Sequence, residues 1–398
     1  MPVFSPARFV SILPVSPLPS RIRTILLASV LKPLDDTRMY EKFGRTLAQR
    51  PAMQVHVAGR AAQLSTDAPA NLHQHELLAG TRLSFARLKA QGRYWRLLQQ
   101  LQPDLCVVHA PELLPLTLLW QALGPNRRFL YDVRENYALN IRTQRVYPAW
   151  LRGLLAAAVR GLETVAAHYA SRIFLAERSY AEELPFARPE CTTILENKYQ
   201  PVGAGQPRTT PVKLAPGQPL ELLYSGTISE LNGVFDAITF TQALRTVWSE
   251  THLTIIGFAQ QPELLQRLQA AIAATNGAVT LLGGDKPVPH AQIVVAIGRS
   301  QVGLLPYQPH PSSWRCIPTK LFEYLALGLP VVIPNNALWR VLVAKNQAGI
   351  VADFTTASAA AEVRSQLLSS VFYPAGFSQD AYWTSEETKL WSIVETIE

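Results

Sequence analysis

Short apolar runs recur along this chain, and most are followed by a polar loop and then by a stretch whose apolar positions return every three or four residues. RIRTILLAS (21–29), QVHVAG (54–59), LCVVHA (105–110), RFLYDV (128–133), RIFLAE (172–177) and TTILEN (192–197) have the composition of strands buried on both faces. Helical patterns lie between them: DDTRMYEKFGRTLAQR with Asp35 or Asp36 as N-cap, a segment near 82–101, PELLPLTLLWQAL, Pro148 to Ala170, and SYAEEL. Strand and helix in alternation predict a doubly wound parallel sheet.

The alternation stops over 200–219, QPVGAGQPRTTPVKLAPGQP, whose five prolines and three glycines suit neither helix nor strand. It resumes with LELLYSG (220–226), LTIIG (253–257), AVTLLGG (278–284), VGLLP (302–306) and LPVVIP (329–334). The expected organisation is a tail (1–20), a first domain (21–205), a linker (206–219), a second domain (220–382) and a terminal helix (383–398) packing back on the first domain. That helix takes Thr384 or Ser385 as cap, with Glu386 and Glu387 complementing its positive end. Two such α/β domains face each other across a cleft, and ligands bind beyond the carboxyl ends of the strands.

Composition narrows the class. With 48% hydrophobic and 17% charged residues the chain has enough apolar side chains for two cores. Cys106, Cys191 and Cys316 show no metal-ligand spacing and no disulfide framework. Apolar runs are too short for a membrane span, and Pro2, Pro6, Pro14, Pro17 and Pro19 break any signal-peptide core, so a cytoplasmic location is expected. Charge is uneven: residues 1–200 carry 25 Lys and Arg against 15 Asp and Glu, and the remainder carries 12 against 14. Such a basic half can meet anionic lipid, nucleic acid or a phosphorylated substrate, and motifs must decide.

The most informative segment is PSSWRCIPTKLFEYLALGLPVVIP (311–334). Pro318 suits a first helical turn and Gly328 the position past the end, with Leu321, Phe322, Leu325 and Ala326 on one face and Lys320 and Glu323 opposite. Spacing alone allows a solvated ion pair worth about 0.2–0.5 kcal/mol. It equally allows an anion at the open helix N-terminus, worth about 0.3–1 kcal/mol.

The segment closely resembles the P-x-K-x-x-E-y-x-A-x-G-x-P-V-V signature of retaining nucleotide-sugar glycosyltransferases of the GT-B fold, especially glycosyltransferase family 4. YSGTISELNGVFDAI (224–238), VVHAPE, YDVRENY and TTILENKY resemble other landmarks of that family, in its order. The resemblance implies that Glu323 accepts hydrogen bonds from the ribose, that the amides of Thr319 and Lys320 hold the diphosphate, and that the backbone at Gly226 and Thr227 approaches it closely. It implies contact of His109 with the donor sugar, and leaves Glu135 for sugar or acceptor hydroxyls. The first loop, Lys32, Asp35, Asp36 and Arg38, falls where the acceptor would bind.

Departures from the pattern are specific. Thr227 and Asn232 stand where the family often carries an Arg and a Lys, Arg315 replaces the first glutamate of its E-x7-E pair, Arg134 replaces a histidine, and the first loop lacks glycine. Arg315 and Lys320, with Lys32 or Arg38 across the cleft, are the expected substitutes for the missing phosphate cations. Retaining transfer needs charge stabilisation on the leaving phosphates and an acceptor hydroxyl on the same face, and the resemblance implies that no side-chain nucleophile is required.

The resemblance therefore implies transfer of a sugar from a nucleotide-diphosphate sugar to a glycan or lipid-linked acceptor, in bacterial surface or exopolysaccharide synthesis, without metal or cofactor and without a nucleic-acid partner. Arg82, Lys89, Arg93 and Arg96 share one face of the 82–101 helix and Leu83, Tyr94, Leu98 and Leu101 another, which suits either an anionic membrane surface or ordinary packing on the sheet. Two alternatives use the same fold, a nucleotide-sugar epimerase and a nucleotide-sugar-binding protein that has lost catalysis.

Overall fold

A computed structural model of the chain describes residues 23–62, 68–79, 86–143, 147–201, 205–356 and 360–397. The tail at 1–20, and Arg82 and Leu83 of the basic helix, lie outside the described residues. Strands β1 (Arg23–Pro33), β2 (Met53–Arg60), β3 (Leu72–Leu78), β4 (Leu105–Val108), β5 (Arg128–Val133), β6 (Arg172–Leu175) and β7 (Thr192–Ile194) form one sheet in the order 3-2-1-4-5-6-7. Strands β8 (Leu220–Ile228), β9 (Thr251–Ala259), β10 (Val279–Gly284), β11 (Val302–Leu304), β12 (Val331–Ile333) and β13 (Gly349–Val351) form a second, in the order 10-9-8-11-12-13. Every pairing in both sheets is parallel.

The apolar runs became strands because helices cover both faces of each sheet: Ile25 through Ala28 of β1 and Leu222 through Tyr224 of β8 are fully buried. Two strands escape the sequence pattern. LHQHELL makes edge strand β3, which leaves His73 and Glu76 in solvent, and β13 is only three residues long. The helix after β1 begins as a π-helix, Thr37–Gly44, capped by Asp36, whose carboxylate accepts from the amides of Arg38 and Met39.

The last helix, Thr384–Thr396, lies against the first sheet, with Trp383, Leu390 and Val394 in one cluster with Ile25, Leu27 and Val107. Arg23 donates to the carbonyls of Val394 and Ile397. Neither Thr384 nor Ser385 caps it: Trp383 occupies the N-cap, and Glu386 is fully buried, paired with Lys198 and Lys389 rather than facing solvent at the helix end. Among the described residues no helix is long and apolar enough to cross a membrane.

Candidate active site

The helix of the 311–334 segment runs over Thr319–Leu327, with Pro318 at its N-cap and Gly328 closing it at φ 70°. Its faces are not divided as the sequence suggests. All residues from Lys320 to Leu327 are buried, so the solvated Lys320–Glu323 pair does not form. The helix is enclosed because it sits between β11 and β12 with its N-terminus turned to the first half of the chain.

Lys320 is the centre of the arrangement. Its Nζ has no hydrogen-bond partner among the described residues, and it lies 4.7 Å from the ring centroid of Tyr224 and 5.3 Å from that of Tyr307. Burial lowers its pKa to about 8, against the pull of Glu323. A Cβ placed on Gly226, whose φ is 88°, would stand 3.5 Å from that Nζ, so the glycine leaves open the space beside the ammonium. No side chain among the described residues caps the helix N-terminus. Unpaired ammonium, uncapped helix start and bare glycine backbone together suit an anion.

Glu323, one turn on, reaches into the cleft and meets a partner the sequence did not disclose. Its Oε1 is 3.0 Å from Nε2 of His290, whose Nδ1 is 3.2 Å from Oε2 of Glu41 in the first half of the chain. Both ring nitrogens donate, which requires the imidazolium. Burial opposes that charge, but the hydrogen bonds and charges of Glu323 and Glu41 hold the His290 pKa at about 10. Burial likewise opposes ionisation of Glu323, and the bond and charge of His290 hold its pKa below the usual value. Lys42 stands nearby, lowered to about 8 by burial and by Arg38.

At the end of β4, His109 is fully buried, with Nδ1 2.7 Å from Oδ2 of Asp132 and Nε2 without a partner among the described residues. Burial lowers its pKa against the Asp132 hydrogen bond, so the imidazole is neutral, donates through Nδ1 and keeps Nε2 as a free acceptor. Asp132 also receives Nε and Nη2 of Arg38, at 2.8 and 2.6 Å. Burial opposes its charge, but Arg38 and His109 hold its pKa far below the usual range.

Three of the expected contacts are corrected here. Arg38 is fully buried and spends its donors on Asp132, the Leu195 carbonyl and Asn197, so it reaches neither phosphate nor acceptor. Asp36 caps its helix through Oδ1 and forms a bidentate pair with Arg134 at 2.7 and 3.0 Å, so its charge is committed to structure rather than free for an acceptor. Arg315 turns toward the first half of the chain, paired with Glu182 and Glu183, and does not join Lys320 at Gly226.

Lys32 pairs with Glu135 at 3.1 Å, Glu135 also accepts from Asn140, and Asp35 is exposed. The Thr227 carbonyl accepts from Asn232 and Tyr224, which closes the loop below Gly226. Thr319 is the first helical residue. Glu177, also unforeseen, accepts the amide of Ile317 just before the helix, and burial raises its pKa to about 8.

Residues 220–370 match the model of the family described as glycosyl transferases group 1. That match lies within the second half of the chain. A glycogen synthase of Mycobacterium tuberculosis is 27% identical over 297 residues, which span 71% of this chain and 63% of that protein. Two solved structures share the GT-B fold: Anabaena HepE in complex with UDP and glucose, at 12% identity and TM-score 0.62 over 94% of this chain and 100% of the other, and WaaG, a glycosyltransferase involved in lipopolysaccharide biosynthesis, at 14% and 0.59 over 93% and 95%. The matched segment contains Gly226, Lys320 and Glu323, whereas His109 directly follows β4 and Glu41 lies in the π-helix Thr37–Gly44.

Proposed function

We propose that the protein is a nucleotide-sugar-dependent retaining glycosyltransferase. The observation that carries this reading is the buried, unpartnered Lys320 ammonium beside Gly226 at an uncapped helix start. The diphosphate lies there, held by Lys320 and the amides of Thr319 and Lys320, and Glu323 accepts from the ribose hydroxyls. HepE, with UDP and glucose bound on the same fold, supports a nucleoside diphosphate sugar as donor.

Each residue then has a physical task. As the sugar–phosphate bond breaks, charge grows on the leaving diphosphate, and a preorganised ammonium with helix amides stabilises it without reorganisation. Neutral His109 presents Nε2 to a donor-sugar hydroxyl, its tautomer fixed by Asp132 and Arg38. Glu135, tied to Lys32, faces the acceptor side. The leaving phosphate takes the acceptor proton, so neither a side-chain nucleophile nor a metal enters the scheme.

The acceptor is a glycan or lipid-linked saccharide, in assembly of a bacterial surface or exopolysaccharide, with the protein at the inner face of the membrane. The surface that supports membrane contact is the helix Ala149–Tyr169, where Trp150, Leu154, Val165 and Tyr169 are exposed and uncharged; Leu119 and Leu123 of the neighbouring helix are exposed as well. Calorimetric titration of UDP, GDP, ADP, CDP and dTDP into the wild type and Glu323→Ala tests the donor reading. One diphosphate should bind, and the variant should weaken it about tenfold or more. Binding of none of the five would sink the reading.

A further inference from the structure

Glu41, His290 and Glu323 make one continuous bridge between the two halves of the chain. Glu41 comes from the π-helix Thr37–Gly44 of the first half, and both partners come from the second: His290 opens the helix His290–Arg299, and Glu323 lies in the helix Thr319–Leu327. Nδ1 of His290 stands 3.2 Å from Oε2 of Glu41 and Nε2 stands 3.0 Å from Oε1 of Glu323, so the imidazolium has both donors engaged, one on each half. The side chains of Glu41, His290 and Glu323 are only 13%, 15% and 10% exposed.

The bridge covers the groups that a donor would have to reach. Nζ of Lys320 is buried as well as unpartnered, and the Glu323 carboxylate is nine-tenths covered with His290 on one oxygen. In this arrangement neither is open to a phosphate or a ribose, and access to both requires the halves to part. The bridge is also balanced in charge, two carboxylates against His290 and the neighbouring Lys42, which favours the joined state while no ligand is bound. The other contacts close to this helix, Glu177 with the Ile317 amide and Arg315 with Glu182 and Glu183, join the halves before Thr319 and do not involve Glu323. They stay in place when the bridge is cut, so the chain remains assembled.

We infer that the Glu41–His290–Glu323 bridge is an autoinhibitory clasp: it holds the donor-free chain closed, and an arriving nucleoside diphosphate sugar must displace it, with ribose hydroxyls taking the place of His290 on Glu323. The inference rests on the glycosyltransferase reading and adds the regulation of its donor site. A ligand that enters only the open form binds with an affinity reduced by the fraction of chains that are open. Cutting the clasp therefore tightens donor binding, although neither Glu41 nor His290 touches the donor.

The test is calorimetric titration of UDP, GDP, ADP, CDP and dTDP into the full chain as wild type, Glu41→Gln and His290→Gln, with circular dichroism confirming that each folds. Glu41→Gln removes an anion and His290→Gln removes a cation, so a purely electrostatic effect on the diphosphate moves the affinity up in the first and down in the second. The clasp predicts a rise in both, about tenfold for an open form populated at about one chain in ten. Any other pattern in which the wild type binds a diphosphate overturns the clasp and leaves the donor site standing. Binding of none of the five to any of the three proteins removes the donor site and the clasp together. Should His290→Gln fail to fold, Glu41→Asp replaces it: the charge is kept but withdrawn by one methylene, the clasp again predicts a rise, and an unchanged or weaker affinity overturns it.

Discussion

Lys320 shows how one side chain can be costly alone and useful with a ligand. A buried ammonium without a hydrogen-bond partner is destabilising, which its lowered pKa of about 8 expresses, and the proposed diphosphate would supply the missing partner. Because the free protein loses this proton as pH rises through about 8, nucleoside diphosphate affinity should fall across that pH in the wild type. In Lys320→Met the fall should vanish; an identical pH profile in the two proteins would rule out the ammonium as the phosphate contact. Asp36 makes the opposite case, a carboxylate already held by a guanidinium and two backbone amides. Burial opposes its charge, while Arg134 and the capped amides hold its pKa far below the usual value. Asp36→Ala strands buried Arg134 and removes a cap, so urea unfolding should show a loss of about 3 kcal/mol or more. A loss under about 1 kcal/mol would mean that the pair contributes little.

At the scale of elements, the site is assembled from the end of β8 with the loop that follows it, and from the first turn of the helix Thr319–Leu327. The loop is as constrained as the helix. A Cβ on Gly233, at φ 73°, would fall 1.8 Å from the Pro306 carbonyl oxygen, so Gly233→Ala must displace the backbone that leads back to Gly226. Diphosphate binding should drop about tenfold or more in that variant, measured by calorimetry, and an unchanged affinity would separate the loop from the site. Elements of this kind were largely readable in the sequence. Strands buried on both faces appear as apolar runs, and the proline and glycine around 318–328 mark a helix whatever its surroundings. What escaped were β3, whose polar alternation serves an edge, β13, too short to carry a pattern, and the burial of Lys320, which depends on Tyr224 of β8 and Tyr307 of the loop after β11.

The whole molecule adds what no single segment encodes. His290 ties Glu323 to Glu41 across the cleft, with Lys42 alongside, and its charge is a property of the assembled pair of sheets rather than of PVPH in sequence. Arg38 and Arg315 were readable as cations, but their partners, Asp132 and the Glu182–Glu183 pair, lie far along the chain, so their structural employment was not. With a folded pKa of about 10 against about 6.5 unfolded, His290 contributes stability that is complete below pH about 6.5 and lost as pH rises through about 10. The melting-temperature gap between wild type and His290→Gln should therefore be widest near pH 6 and close above pH 10. A gap independent of pH would show that the bridge carries no charge. Under the proposed donor pose ribose hydroxyls take a Glu323 oxygen in competition with His290, so donor binding should also loosen this tie between the halves.

The central claim, that Lys320 and the helix start hold a diphosphate, is tested most directly by comparing the diphosphate that binds with its parent nucleoside. In Lys320→Met the diphosphate should lose about tenfold or more in affinity while the nucleoside loses none. Equal losses, or none for either, would contradict the assignment and place the phosphates elsewhere in the cleft.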